Sequence, residues 1–242
     1  YEDFASAGSS IRSVIGILAG ACDLHAENVK ALGENNVSNL LAHVLPFALD
    51  GLRRDLKDFS QSSIGDEEEA IIDALEYLLS VCKQDKQASK QLCSSLILDF
   101  TPWTGSGVRM IKRILCICSS MCNTNPDLMQ EVSALQTLLD NGRKWLSPKS
   151  SIMGGILHSN SAKSVMDDSG VLSVTEAESV SLIDELFVSV SLLTNTSGRM
   201  SSKVEIIVGF LAECPCPHML AATVKLVYSI IISPNTERAN EF

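Results

Sequence analysis

The sequence is poor in the residues that usually carry catalysis. It has four histidines, and none lies in a nucleophile or metal-ligand motif such as GxSxG or HExxH. We therefore predict no enzymatic activity, no cofactor and no metal site. Dispersed carboxylates could still meet in a folded groove, so an enzyme built that way remains the weakest of three alternatives.

An excess of basic charge and a long apolar run are also missing. Nineteen Lys and Arg face 29 Asp and Glu, which gives a net charge of −10. This balance argues against a general attraction to nucleic-acid phosphates and favours a basic partner segment. The most apolar run, Leu182 to Leu193, is interrupted by Asp184 and Glu185 and is shorter than the ~18 residues that cross a bilayer. We expect no membrane partner.

Aromatic residues are scarce, at 5%, while cysteine is present eight times. Most of the cysteines lie in apolar helical runs, where a thiol acts as a small hydrophobic side chain. This usage predicts a reduced, intracellular protein of the nucleus or cytoplasm. The segment Cys214 to His218 offers three possible ligands, two Cys and one His, on a proline-bounded turn but no fourth ligand nearby, so a connector is favoured over zinc binding.

The chain repeats one of its own segments. Cys22–Leu32 aligns without gaps with four later segments that end at Leu92, Val132, Val204 and Phe242, at intervals of 60, 40, 72 and 38 residues. These intervals indicate a unit of about 40 residues with two insertions, near 51–66 and 147–175. Because the chain starts at Tyr1 and stops within a unit, we expect residues 1–242 to be one domain of a larger protein.

The repeated unit has helical periodicity. A polar break and a short second helix follow an apolar series with the spacing of one helix face, Ile11, Val14, Ile15, Leu18 and Cys22. In the second copy of the repeat the pattern predicts a helix over 69–81. The acidic cluster 66–69 is expected in its first turn, where the helix dipole favours negative charge.

These units resemble armadillo repeats, with HEAT repeats as the related alternative. Glu27-Asn28 after the long helix, Gly33 after the short one and the helix starting at Val37 are similar to the armadillo order of third helix, short first helix, glycine turn and second helix. Pro126 stands where armadillo units often open that short helix. The resemblance implies an all-α, right-handed α-solenoid of about five repeats.

In armadillo proteins the third helices line a concave groove. The Trp and Asn ladders of nuclear-import receptors are missing at the compared positions, so that subfamily is not expected. The resemblance instead places a set of charged residues on this face, and Arg109, Lys112 and Arg113 form a local positive patch. The concave-face candidates are Arg12, Glu76, Arg109, Lys112, Arg113 and Asp184.

Two functions follow as hypotheses. The first is a non-catalytic protein–protein interaction scaffold within a multi-subunit assembly, in which the positive patch contacts an acidic peptide or a neighbouring subunit. The alternative is a nucleic-acid-associated subunit of a nuclear complex that uses the same patch, although direct binding of nucleic acid is not expected from the net charge. Solvated charges on an exposed helix face explain the patch equally well.

Overall fold

The computed structural model describes residues 6–55, 61–99, 101–103, 108–145, 176–195, 200–214 and 216–232, and this part of the chain is all-α with no strand. Contacts divide the chain into two compact units, the first ending at Cys118 and the second starting at Ser119. The α-helices are α1 (Ser6–Leu24), α2 (Ala26–Glu34), α3 (Val37–Asp55), α4 (Gln61–Cys82), α5 (Lys86–Leu92), α6 (Val108–Thr124), α7 (Pro126–Glu131), α8 (Ala134–Trp145), α9 (Glu176–Asn195), α10 (Met200–Leu211) and α11 (Pro217–Ile232).

The predicted helix, break and short helix are confirmed in the first three copies. The pairs α1 and α2, α4 and α5, and α6 and α7 each join a long helix to a short one across a corner. In two corners a side chain of the short helix donates to a carbonyl in the last turn of the long helix. Asn28 bonds to the oxygen of Ala21 at 2.8 Å, and Ser89 to that of Cys82 at 2.7 Å. Each carbonyl also accepts a backbone N–H of the corner, from His25 at 3.3 Å and from Asp85 at 3.0 Å, so the side chain adds a second donor at the helix end.

N-caps start the short helices of the second and third copies. The carboxylate of Asp85 accepts from the backbone N–H of Ala88 at 2.8 Å, and the Asn125 side chain accepts from that of Leu128 at 3.4 Å. Pro126 follows Asn125 at the first helical position, as the sequence predicted, where its missing N–H costs nothing.

The turn after the short helix differs among the copies. Asn36 and Ser133 adopt positive φ, 54° and 53°, and start a new helix in the first and third copies. In the second copy there is no such turn, because α5 runs directly into a π-helix, Cys93–Leu98, followed by a 3-10 turn, Thr101–Trp103.

Gly33 does not form the predicted glycine turn. It lies inside α2 and is buried, and a Cβ at this position would be 3.1 Å from the backbone nitrogen of Ala88 in α5. The glycine is therefore required by the close approach of two short helices, and Asn36 makes the turn.

In the first unit, helices of the same kind lie against each other. The long helix α1 packs along α4 and the short helix α2 along α5, while α3 contacts α1, the π-helix and the 3-10 turn. The core between them is aliphatic and includes the fully buried Ile15, Leu45 and Leu75. Trp103 is buried, and its Nε1 donates to the carbonyl of Leu96 at 2.7 Å.

The helix expected over 69–81 begins earlier, at Gln61, so residues 61–66 are helical within the insertion placed near 51–66. Residues 51–55 continue α3 into this insertion. α3 also continues through Pro46. The second insertion, 147–175, lies outside the described residues.

In the second unit, α9 contacts α8 and α11, and α10 contacts the same two helices. Gly142 of α8 allows this close packing, since a Cβ there would be 2.5 Å from Cδ2 of Leu186 and 2.8 Å from Cε of Met219. Lys203 is buried, and its ammonium donates to the carbonyl of Leu193 at 2.9 Å, near the C-terminus of α9. A cation is favourable there because the last carbonyls carry partial negative charge.

None of the helices in the described part of the chain is both long enough and apolar enough to span a membrane.

We expect Gly33→Val to destabilise the first unit by about 1 to 3 kcal/mol, because the new side chain must push α5 away from α2. The matched control is Gly20→Val, where nothing lies within 4 Å of the added Cβ and the change should stay below about 0.5 kcal/mol. Urea unfolding followed by circular dichroism measures both. Equal stability of the two variants would contradict the proposed packing role of Gly33.

Candidate functional site

A cluster of opposite charges joins α4 and α6 within the first unit, and we call it the charged ridge. Arg109 of α6 lies 2.7 Å from a carboxylate oxygen of Glu69, and Arg113 lies 2.8 Å from Asp73 and 3.3 Å from Glu76. All five residues have exposed or half-exposed side chains. Ion pairs of this kind contribute about 0 to 1 kcal/mol each, so the ridge adds little to stability.

The charged ridge changes the interpretation of the predicted positive patch. Two of its three cations, Arg109 and Arg113, are held by α4 carboxylates. Lys112 is exposed on the same helix and also takes part in an interaction. The potential that a free polyanion meets at this surface is therefore reduced by its own neighbouring acids.

The acidic cluster 66–69 has a different origin from the predicted one. Because α4 begins at Gln61, these residues lie in its second turn rather than its first, so the helix dipole does not account for them. Two of them instead reach neighbouring helices. Glu67 lies 3.5 Å from Arg12 of α1, and Glu69 pairs with Arg109 of α6.

The structure thus brings together Arg12 with Glu67, and Glu76 with Arg113, while Asp184 lies in the second unit. The alignment of the repeats already indicated two ion pairs of the charged ridge. It places Arg109 opposite Glu69 and Arg113 opposite Asp73, which are the pairs that form when two long helices run side by side in the repeat register.

A groove lies between α9 and α11 in the second unit. Its volume is about 600 Å³, within the range of ordinary ligand-binding clefts. The apolar part of the lining comes from Ile183, Phe187 and Leu226. Charged and polar groups, including Asp184, His218 and Lys225, also line it. The groove therefore combines an apolar surface with charges of both signs.

The cysteines form no cluster that resembles a metal site. All eight lie in the described part of the chain, and none is in a disulfide. No group of three or more His, Cys, Asp or Glu among the described residues is placed to hold a metal ion, and this includes the described members of the segment around Cys214 and His218.

Cys22 of α1 and Cys82 of α4 are buried with their thiols in hydrogen-bond contact. Burial, together with the smaller effect of the neighbouring Cys22 thiol, raises the pKa of Cys82 to about 12. Burial also raises the pKa of Cys22. Both side chains therefore behave as packing groups of the α1 and α4 contact, as the sequence suggested for cysteines in apolar runs.

No family model matches this chain, and no solved structure matches it significantly.

Removing the carboxylates of the charged ridge should expose its arginines to polyanions. We expect the triple variant Glu69→Gln, Asp73→Asn, Glu76→Gln to bind a fluorescein-labelled 20-base-pair DNA duplex at least about tenfold more tightly than the unmodified chain at low salt. Fluorescence anisotropy measures the affinity.

The control neutralises three exposed carboxylates elsewhere, Glu27→Gln, Asp127→Asn and Glu205→Gln, which gives the same net charge. Equal affinity of the two triple variants would show that net charge alone matters. Tight binding by the unmodified chain that disappears with Arg109→Ala and Arg113→Ala would favour the nucleic-acid hypothesis instead.

Thiol reactivity should follow burial. Only the thiolate reacts, and at pH 8 a thiol with a pKa near 12 is ionised in about one molecule in ten thousand. We expect iodoacetamide to modify the exposed Cys116 before Cys22 or Cys82, as read by mass spectrometry of the native protein. Cys116→Ser should remove this early product. Rapid labelling of Cys82 would contradict the buried contact.

The same pKa predicts a loss of stability at high pH. Since the folded-state pKa of Cys82 lies above the ordinary cysteine value of 9.0, the native state keeps a proton that the unfolded state releases. The contribution of this thiol is full below pH 9 and falls as the pH rises from 9 towards 12.

Proposed function

We propose that this chain is a non-catalytic protein-interaction module of armadillo or HEAT type, which binds a segment of a partner protein in the groove between α9 and α11. The observation that carries this proposal is the groove itself, because it offers apolar surface beside the charges of Asp184 and Lys225. A partner segment with an apolar side chain flanked by a basic and an acidic residue would match it.

The packing within each unit supports a repeat architecture. Long helices lie on long helices, α1 on α4 and α9 on α11, and the short helix α2 lies on the short helix α5. In a solenoid, each layer buries its apolar faces against the equivalent helices of the next layer. The five repeats inferred from the sequence are part of the proposal, since the last copy extends beyond the described residues.

Two features favour binding over catalysis. The sequence has no nucleophile motif, and within α11 the groove residues His218 and Ser229 are three helical turns apart. At 1.5 Å per residue this is about 16 Å along the axis, too far for the histidine to act as a base for that hydroxyl. The groove is suited to holding a segment rather than to activating one of these groups.

The nucleic-acid alternative has less support. It depends on Arg109, Lys112 and Arg113, and both arginines already pair with carboxylates in a chain of net charge −10. Phosphate binding would have to compete with these internal pairs. A protein partner, such as another subunit of an assembly, fits the observations better.

A peptide library on phage tests the proposed function directly. We expect selection against the unmodified chain to enrich 16-residue peptides that combine apolar residues with a basic residue for Asp184. Synthetic copies should lose at least about tenfold in affinity for Ala221→Trp, since the indole would occupy the groove that Ala221 lines. Fluorescence polarisation measures the loss.

The matched control is Ala212→Trp, which places the same indole at an exposed position after α10 that does not line the groove. It should bind like the unmodified chain. Failure to enrich peptides, or enriched peptides that bind both tryptophan variants equally, would overturn the groove as the binding site.

A further inference from the structure

Each of the first three long helices carries an apolar series that we call the forward stripe. In α1 it is Ile11, Ile15, Ala19 and Cys22, at positions i, i+4, i+8 and i+11, and all four are buried. The same spacing recurs in the next two long helices with buried side chains at nearly every position. These residues are Ile71, Leu75, Leu79 and Cys82 in α4, and Ile111, Leu115, Ser119 and Cys122 in α6.

A second series, the backward stripe, lies on another side of each long helix. In α1 it comprises Val14, Ile17 and Ala21. The alignment of the repeats places Ala74, Tyr77 and Val81 of α4, Ile114, Ile117 and Met121 of α6, and Leu186, Ser189 and Leu193 of α9 at the same positions.

Contacts within each unit show what covers a backward stripe. In the second unit, Ser189 of α9 is buried, and its hydroxyl lies 2.8 Å from that of Ser119, a forward-stripe residue of α6. In the first unit, Tyr77 of α4 donates to a carboxylate oxygen of Asp23 in α1 at 3.1 Å. In the second unit the backward stripe of α9 therefore faces the preceding long helix α6, and in the first unit α4 turns both Tyr77 of its backward stripe and Cys82 of its forward stripe towards α1.

At α1 the backward stripe is uncovered. Ile17 is 71% exposed, and Val14 is also exposed, as is Leu24 one turn beyond Ala21. Nothing lies within 4 Å of a Cβ built on Gly16 or Gly20, which border the stripe. Three more exposed apolar residues lie on α3, the helix packed on α1, and they are Leu40, Val44 and Phe47.

A forward stripe is uncovered on α11. Leu220, Val224, Tyr228 and Ile231 have the spacing of Ile11, Ile15, Ala19 and Cys22, and all four are exposed, Tyr228 by 66%. The ungapped comparison aligns Cys22 with Ile232. The spacing of this series instead aligns Cys22 with Ile231, one residue earlier. The buried residues of α11 are on the other side of the helix, and they are Met219, Thr223, Leu226 and Ile230.

We propose that the exposed forward stripe of α11 in one copy of this chain packs on the exposed backward stripe of α1 in a second copy. The contacts inside the chain indicate the occupant, because the buried backward stripe of α9 faces a forward-stripe residue of α6, and α11 presents an uncovered forward stripe. Both exposed stripes consist of uncharged residues, so their contact leaves no charge buried without a partner. Exposed apolar series of this size are unusual on a monomer and mark interaction surfaces.

The contact joins two different surfaces, so each copy keeps one uncovered stripe after the first association. Successive contacts of this kind build a ring or an open chain of copies, and not a symmetric dimer. This proposal rests on the layered repeat packing and is independent of peptide binding in the groove. Asp184→Lys, which alters the groove alone, should abolish peptide binding and leave self-association unchanged.

Two single variants test the proposal by complementation in sedimentation velocity over about 1 to 100 µM. Ile17→Asp blocks the α1 surface, and Val224→Asp blocks the α11 surface. Each variant alone should associate at least about tenfold more weakly than the unmodified chain. Mixing the two should restore association but stop it at a one-to-one dimer, since only one intact surface of each kind remains.

Both substituted residues are exposed, so the variants should fold, and circular dichroism checks this. Val208→Asp, at an exposed position of α10 outside both stripes, should associate like the unmodified chain. Three results would each overturn the proposal: a monomeric unmodified chain at 100 µM, no dimer in the mixture, or an Ile17→Asp variant that still dimerises while Val224→Asp does not, which would indicate contact between two α11 helices.

Discussion

The structure depends on the fact that each long helix is apolar on more than one side. The side that carries Ile11 and Ile15 and the side that carries Val14 and Ile17 cannot both be buried by the short helix and the second helix of the same repeat. A neighbouring long helix must cover one of them. This requirement explains why α1 packs along α4, and α9 along α11, and why the short helices are brought together as a consequence.

The close approach of the short helices then imposes its own constraint. Gly33 leaves the backbone of α2 only a short distance from that of α5, and a side chain there would meet Ala88. The sequence pattern predicted a glycine in the right segment but assigned it to a turn, because local rules associate glycine with the end of a helix. A contact between residues that are far apart in the sequence determined its role, and no local rule contains that information.

Other features were predictable because they are local. The corners after α1, α4 and α6 follow from helical periodicity interrupted by polar residues, and Asn125 with Pro126 is a recognisable helix start. The start of α4 was misjudged because 61–66 contains serine, glycine and acidic residues, which favour loops, whereas this segment continues helical in the folded chain. The groove site was only partly predictable. Asp184 was identified as a surface residue, but its position beside Lys225 depends on how α9 packs on α11.

The apolar stripes stabilise the packing of the long helices, whereas the charged ridge mainly determines their register. The ion pairs of Arg109 and Arg113 are exposed and add little free energy, so burial of the stripes must hold the layers together. The pairs do favour one register, because sliding α6 by one turn towards the C-terminus of α4 moves Arg113 from Asp73 to the uncharged Tyr77. At the uncovered stripe of α1 the positions equivalent to Arg109 and Arg113 are Ser9 and Ser13, which carry no charge. A helix that packs there is consequently aligned by the shape of the apolar side chains and by the space above Gly16 and Gly20, and electrostatic matching plays no part in its alignment.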